Sequence, residues 1–116
     1  MKFVLMIFHG TTPLPGTPAW DALGKEEQGR IYAEYQALNQ TPGLEQGLPL
    51  GHKTAARTVT VVNGKPQVAI GPYQEGAGGF AILEADTIEQ AIEVAAKVPA
   101  ARLGGAVEVR PAEKYW

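Results

Sequence analysis

Two histidines and the short stretch IGPYQE carry the side chains of this sequence that are best suited to acid–base chemistry. His9 and His52 have the side-chain type whose ordinary pKa lies nearest neutrality, so each can accept or donate a proton. Tyr73 and Glu75, both within IGPYQE, supply a hydroxyl and a carboxylate. We interpret His9, His52 and Glu75 as candidate catalytic residues and Tyr73 as a candidate ligand contact.

The stretch IGPYQE also has a purely structural interpretation. Gly71 permits unusual backbone angles and Pro72 presets φ, which is the composition of a tight turn after a strand. A site results only if that turn directs Tyr73 and Glu75 into a cleft. The following GAGG is not a phosphate-binding loop, because it precedes a strand and lacks a following Lys-Ser/Thr pair.

The histidines and two arginines have structural alternatives as well. His9 directly follows a predicted strand, where a lone histidine is often hydrogen-bonded or solvated, and His52 lies in the loop GLPLGHK without a neighbouring carboxylate. Arg57 and Arg102 are candidate ligand-binding residues, because forked donors suit an anion, although surface arginines are commonly solvated. The histidines lack the spacing of a metal motif, and we predict neither a metal nor a cofactor.

Length and composition restrict the class of protein. With 116 residues and 45% hydrophobic content the chain can build one core, so we predict a single domain over residues 1–116. The formal charge of −2 leaves no basic excess for nucleic acid, and the absence of cysteine excludes disulfides and thiolate nucleophiles. The opening MKFVLMIFHG is too short in apolar residues for a signal peptide or membrane span. We expect a soluble cytoplasmic protein without a nucleic-acid or membrane partner.

The first part of the chain predicts one strand and one long helix. The run from Phe3 to Phe8 is apolar at every position, as in a central strand that is covered on both faces. A proline-rich loop and a short helical turn through Trp20 follow. From Lys25 to Pro42-Gly43, apolar residues recur on one helical face, namely Ile31, Tyr35 and Leu38. Trp20 and Trp116 are interpreted as packing or interface residues.

The middle of the chain predicts a β-hairpin. Thr58 to Val61 alternates polar and apolar residues, and Val68 and Ile70 continue the pattern. Between them, Asn63-Gly64 supplies the positive φ angles of a two-residue turn.

The last third predicts strand, helix and strand. Phe80 to Leu83 is apolar, and Asp86-Thr87 supplies the cap of a helix that runs through Lys97 and is stopped by Pro99. We expect its buried face to consist of Ile88, Ala91, Ile92 and Ala95. Ala106 to Arg110 alternates again and predicts the final strand.

The order of elements predicts an α+β fold, a ferredoxin-like sandwich with an inserted β-hairpin. Both long helices have a single apolar stripe, so they should lie on the same face of one antiparallel sheet. The other face then lacks a cover, and a second copy of the chain is the simplest one, which predicts a homodimer. If the protein handles a small-molecule ligand, His9, His52, Tyr73 and Glu75 should line one cleft.

The sequence also resembles a known family along nearly its whole length. MKFVLMIF, WDALGKEEQGRIYAEYQALN, ARTVTVVNGK, IGPYQE, GGFAILEADTIEQAIEVAAKVPAAR and VEVRP are similar, in this order, to the YCII-related family in its DGPF-type branch. The resemblance implies a dimeric α/β barrel. The sequence departs from the branch at Ile70, where those proteins usually carry Asp, and in a shortened segment between Glu75 and Gly78.

The resemblance leaves three functions open. Members of the wider family are thought to use a His and an Asp as a catalytic pair, which implies a small-molecule-binding enzyme with acid–base or hydrolytic chemistry. Asp21 and Asp86 have structural explanations near helix starts, so neither is assigned to that pair. Relatives of the DGPF-type branch are associated with extracytoplasmic-function sigma factors, which implies a non-catalytic regulatory module instead. The third alternative is a dimeric protein without remaining activity.

Overall fold

The computed structural model describes residues 1–114, so Trp116 lies outside the described part of the chain. The strands are β1 (Lys2–Phe8), β2 (Leu44–Gln46), β3 (Arg57–Val62), β4 (Lys65–Ile70), β5 (Ala77–Glu84) and β6 (Ala106–Pro111). The helices are α1 (Pro18–Asp21), α2 (Lys25–Asn39), α3 (Ile88–Ala95) and α4 (Pro99–Arg102), with a 3-10 turn at Lys53–Ala55. The predicted α+β fold with antiparallel sheets is confirmed.

The main sheet is antiparallel and has the strand order β2-β5-β1-β6 within the described residues. β1 lies at its centre, because it pairs with β5 on one side and with β6 on the other. The register places Leu5 opposite Ala81 of β5 and Val109 of β6. β2 was not predicted from the sequence, since three residues are too few to display an alternation.

Both long helices cover the same face of this sheet, as predicted. Phe3 and Ile7 share one face of β1; Phe3 packs with Ala91 of α3, and Ile7 packs with Leu38 of α2. Phe3 and Leu5 are completely buried, and burial of each such side chain stabilises the fold by about 2 kcal/mol. The core therefore occupies the helix side of the sheet.

Three expectations for α3 are wrong in detail. Ala91 and Ala95 are buried, but Ile88 and Ile92 face solvent, with 53% of Ile92 exposed. The short alanines allow the helix to lie close to the sheet, so the larger side chains at its flank remain outside. The cap is the hydroxyl of Thr87, which accepts from the backbone N–H of Gln90, and not Asp86. Pro99 does not simply stop the helix, because it also begins α4.

The predicted hairpin is confirmed, and it stands apart from the main sheet. Asn63 and Gly64 have φ values of 52° and 75°, as a type I′ turn requires, and β3 pairs with β4 in a separate two-stranded sheet. Cross-strand pairs place Val59 beside Val68 and Arg57 beside Ile70. The apolar side chains of Val59, Val68 and Ile70 are exposed, up to 78% at Ile70, because the described part of the chain places nothing over them.

The second face of the main sheet is the side of β1 and β5 that points away from the helices. Val4 and Met6 alternate with the buried positions of β1 and pair with Ile82 and Phe80 of β5. Met6 and Val4 are half-buried and Phe80 is 43% exposed. We call this surface the open sheet face.

No helix between residues 1 and 114 is long and apolar enough to cross a membrane.

Candidate functional site

His9 lies where β1 ends, at a point where the backbone is held from two sides. Its N–H donates to the carbonyl of Gly76 at 2.9 Å, and its own carbonyl accepts from the N–H of Thr12 at 2.8 Å. The register between β1 and β5 shifts between Ile7 and Phe8, just before this residue. Such an irregularity changes the direction of the backbone where the strand ends.

Two glycines make room for His9. The imidazole lies against the backbone of Gly78, where an added Cβ would sit 1.8 Å from the His9 Cδ2 atom. On the other side, a Cβ on Gly105 would sit 2.6 Å from the His9 carbonyl oxygen. Neither position can accept a side chain without movement, so the close approach of three backbone segments fixes His9.

The environment of His9 favours its neutral form. Burial lowers the pKa of the imidazole below 6.5, and a hydrogen bond with the backbone of Gly78 acts in the opposite direction with a smaller effect. Among the described residues, the buried Nδ1 atom has no hydrogen-bond partner. The hydroxyl of Thr12, in the same turn, is buried and unpartnered as well. A neutral imidazole is suited to accept a proton.

The ring of His9 borders a cavity of about 440 Å³, which we call the His9 cavity. Its wall combines the ends of β1 and β5 with α2, the proline-rich loop and the segment after β2: Ile7, His9, Leu14, Pro15, Tyr32, Tyr35, Gln46, Gly47, Leu48, Pro49, Gly78, Gly79 and Phe80. The size is typical of small-molecule sites, and the wall is mainly apolar with a few polar groups.

Two tyrosines of α2 form part of this wall. Tyr32 and Tyr35 are separated by three positions, so both project from the same side of the helix. Burial raises the pKa of Tyr35, and the neighbouring carboxylate of Glu34 raises it further, so the phenol keeps its proton. Tyr32 packs edge-on against Trp20, with ring centroids 5.3 Å apart. Trp20 is buried, in agreement with its interpretation as a packing residue.

His52 belongs to a different cavity, of about 290 Å³, which we call the His52 cavity. Its Nδ1 atom lies 3.0 Å from the Thr54 hydroxyl and accepts from the Thr54 N–H at 3.3 Å, which caps the 3-10 turn. The wall of this cavity also includes Pro72 and Gln74, on the segment that follows the hairpin. One backbone bond links the two regions, since the N–H of Leu50 donates to the carbonyl of Gly78.

Within one chain, the four predicted site residues do not line one cleft. His9 and His52 border separate cavities, and neither cavity is lined by Tyr73 or Glu75. Tyr73 is 82% exposed, and the Glu75 carboxylate lies 3.5 Å from the Lys53 ammonium at the surface. The sequence IGPYQE forms a turn with φ of 108° at Gly71, so its glycine and proline direct these two side chains outward.

The two arginines are engaged by groups of the chain itself. Arg102 bonds the carboxylates of Glu27, at 2.9 Å, and Glu34, and so ties α4 to α2. These two hydrogen bonds raise the pKa of Arg102. Arg57 donates to the carbonyls of Thr54 and Ala56 at 3.2 and 2.8 Å. Both guanidinium groups thus have local structural partners, and neither arginine borders the His9 cavity.

Most of the His9 cavity was not predicted from the sequence. Tyr32 was not singled out, and Tyr35 was assigned only to a helix face. The pair Gly78-Gly79 before Phe80 was the available signal, because glycine inside a strand marks a close approach of other atoms. Within residues 1–114 no group of three or more His, Asp or Glu side chains is arranged to hold a metal ion.

A comparison with protein families gives a match over most of the chain. The family model described as YCII-related domain matches residues 21–114. No curated protein matches the chain.

Proposed function

The chain belongs to the YCII-related domain family, and we propose that it binds a small molecule in the His9 cavity, where His9 acts as a general base. One observation carries this proposal. The cavity combines a mainly apolar wall with the imidazole of His9, whose pKa is lowered by burial. An apolar pocket with a few polar groups and a residue of shifted pKa is the combination expected of a binding or catalytic site.

The chemistry that fits these residues is proton transfer. Neutral His9 accepts a proton from a ligand C–H or O–H group, or from a water that attacks the ligand, and returns the proton in a later step. Tyr32 and Tyr35 border the same cavity, and their hydroxyl groups are of the type that donates hydrogen bonds to oxygen atoms of a ligand. This division of roles covers both acid–base and hydrolytic reactions. His52 and Glu75 take no part in it.

The proposal includes a homodimer that packs through the open sheet face. The half-buried row of Val4, Met6 and Ile82 supports it, because an apolar face of this kind is normally covered in a stable protein. The main-sheet order β2-β5-β1-β6, with the hairpin set aside, supports a ferredoxin-like arrangement of residues 1–116 as one domain. Two such units packed face to face give the dimeric α/β barrel that the DGPF-type resemblance implies.

Ligand binding at His9 is tested by NMR of the histidine side chains during a metabolite screen, combined with thermal unfolding. A ligand of the cavity should shift the His9 ring resonances and raise the melting temperature, since binding to the native state stabilises it. His9→Gln should weaken binding at least tenfold, whereas His52→Gln serves as the control and should leave binding unchanged. A ligand that binds both variants equally well contradicts the role of His9 and favours a regulatory module without acid–base chemistry.

The dimer is tested by light scattering with a matched pair of charge substitutions. The wild-type protein should have about twice the 12.3 kDa chain mass at micromolar concentration. Ile82→Glu places a charge on the open sheet face and should dissociate the dimer. Ile92→Glu places the same charge on the exposed flank of α3 and should leave the dimer intact. A wild-type mass near that of one chain refutes the homodimer.

A further inference from the structure

We infer that the ligand of the His9 cavity is an uncharged molecule built on a flat apolar ring with one hydrogen-bonding group. This inference rests on the proposed function and specifies the chemical class of the ligand. It follows from which side chains border the cavity and from which do not.

The wall of the His9 cavity contains no Asp, Glu, Lys or Arg. Its polar side chains are two phenols, one amide and one imidazole, from Tyr32, Tyr35, Gln46 and His9. A carboxylate, phosphate or ammonium group on the ligand would lose water there without gaining a counter-charge. Transfer of an unpaired ion from water into such surroundings is strongly unfavourable, so the cavity selects against ions of either sign.

The contrast with other hollows of the chain strengthens this point. The His52 cavity is bordered by Lys53, and a third hollow beside α2 is bordered by Arg30, Glu34 and Lys97. The carboxylate nearest in sequence to Tyr35 is Glu34, and it is neutralised by Arg102. Charged side chains therefore border both of these hollows, while the wall of the His9 cavity is neutral.

The shape and the polar atoms of the cavity define the ligand further. Gly47, Gly78 and Gly79 contribute bare backbone to the wall, and the rings of Tyr32, Tyr35 and Phe80 contribute flat apolar surface. The Phe80 ring covers Gly47, since an added Cβ there would lie 2.5 Å from the ring. These surfaces fit a planar ring. The polar side chains of the wall, from Tyr32, Tyr35, Gln46 and His9, offer hydrogen-bond partners for one hydroxyl or amide group on that ring.

Three probes of nearly equal size test the charge preference: benzyl alcohol, benzoate and benzylamine. Each is titrated to about 20 mM at neutral pH while the His9 ring resonances are followed, because fragments of this size bind in the millimolar range. Benzyl alcohol should shift these resonances with an affinity at least tenfold above that of either ion. Benzoate or benzylamine binding equally well overturns the inference and leaves the proposed function intact. If no probe shifts His9, the inference fails too, and the metabolite screen decides the proposed function separately.

A matched pair of variants sharpens the test. Gln46→Lys adds one positive charge to the cavity wall and should reverse the preference, so that benzoate binds more tightly than benzyl alcohol. Glu45→Gln changes the net charge by the same amount, but Glu45 does not border the His9 cavity, so this variant should leave the preference unchanged. If both variants respond alike, overall charge and not the cavity wall determines selectivity, and the inference is wrong.

Discussion

His9 and His52 are the two histidines of the sequence, and the fold treats them very differently. The backbone of His9 is bonded to Gly76 and Thr12, and its ring rests on Gly78 and borders a neutral cavity. His52 stands on an exposed 3-10 turn, where its ring bonds only to Thr54 among the described residues. Residue type identified both as candidates. Long-range packing distinguishes the two, because it places three backbone segments around His9.

Two glycines show the same difference: Gly105, which approaches His9 in space, and Gly51, which precedes His52 in sequence. An added Cβ on Gly105 would meet the backbone oxygens of Phe8 and His9 at 2.2 and 2.6 Å, whereas one on Gly51 meets nothing within 4 Å. His9 is therefore held by contacts distant in sequence, and His52 by its own turn. The position of His9 should depend on the whole fold, and the position of His52 should tolerate local change.

Gly105→Ala should produce the largest effect. The new methyl group collides with backbone on β1, so the strands must separate, and the free energy of unfolding should fall by about 3 kcal/mol. Gly51→Ala is the matched control beside His52 and should change it by less than about 0.5 kcal/mol. Urea unfolding of both variants measures the difference. Equal effects would show that the two regions are held with the same strength.

The pH dependence of stability should come next in size. Burial lowers the folded-state pKa of His9 below 6.5, so near that pH the unfolded chain binds more protons than the folded one. The contribution of His9 to stability is then complete above pH 6.5 and is lost as the pH falls through that value toward the folded-state pKa. A single proton limits the slope to about 1.4 kcal/mol per pH unit.

His9→Gln should remove this part of the pH dependence. The difference in unfolding free energy between wild type and variant should change between about pH 7.5 and pH 5. Gly51→Ala, which keeps both histidines, should follow the wild-type curve. If the His9→Gln curve runs parallel to that of the wild type over this interval, His9 titrates as an exposed histidine and the difference between the two regions disappears.

Local signals predicted some elements of the fold well. Asn63-Gly64 specified the hairpin because its turn requires positive φ at two successive residues, which does not depend on the rest of the chain. The buried face of α3 depends instead on how closely the helix approaches the sheet, so Ile88 and Ile92 were assigned wrongly. β2 is recognisable only from its pairing with β5.

The candidate site was less predictable than the fold. His9 was identified by its type and its place at a strand end, but its cavity joins α2, the segment after β2 and the start of β5. No sequence pattern reports which of these segments meet. The outward direction of Tyr73 and Glu75 likewise depends on the turn at Gly71, whose composition allowed both directions.

Gly78→Ala should have a smaller effect on stability and a specific effect on His9. The added Cβ meets ring atoms at the end of the His9 side chain, so the ring can rotate away. The free energy of unfolding should therefore fall by only about 1 kcal/mol. Gly79→Ala is the control, because its nearest neighbour is Ile7 Cδ1 at 3.9 Å. NMR titration should show the pKa of His9 moving toward its ordinary value in Gly78→Ala only. An unchanged pKa would show that the contact with Gly78 is not what buries the His9 ring and lowers its pKa.

Lys53→Ala should have the smallest effect, on the His52 side of the comparison. The Lys53 ammonium lies 3.5 Å from the Glu75 carboxylate, and 61% and 74% of the two side chains are exposed. Solvent screens such a pair, so its loss should change the free energy of unfolding by less than about 0.5 kcal/mol, and by less again in high salt. A double-mutant cycle with Glu75→Gln isolates the pair energy. A coupling above about 1 kcal/mol would mean that the loop bearing His52 is anchored to the segment after the hairpin more firmly than its exposure indicates. His52 would then be a positioned residue like His9, and its cavity a second candidate site.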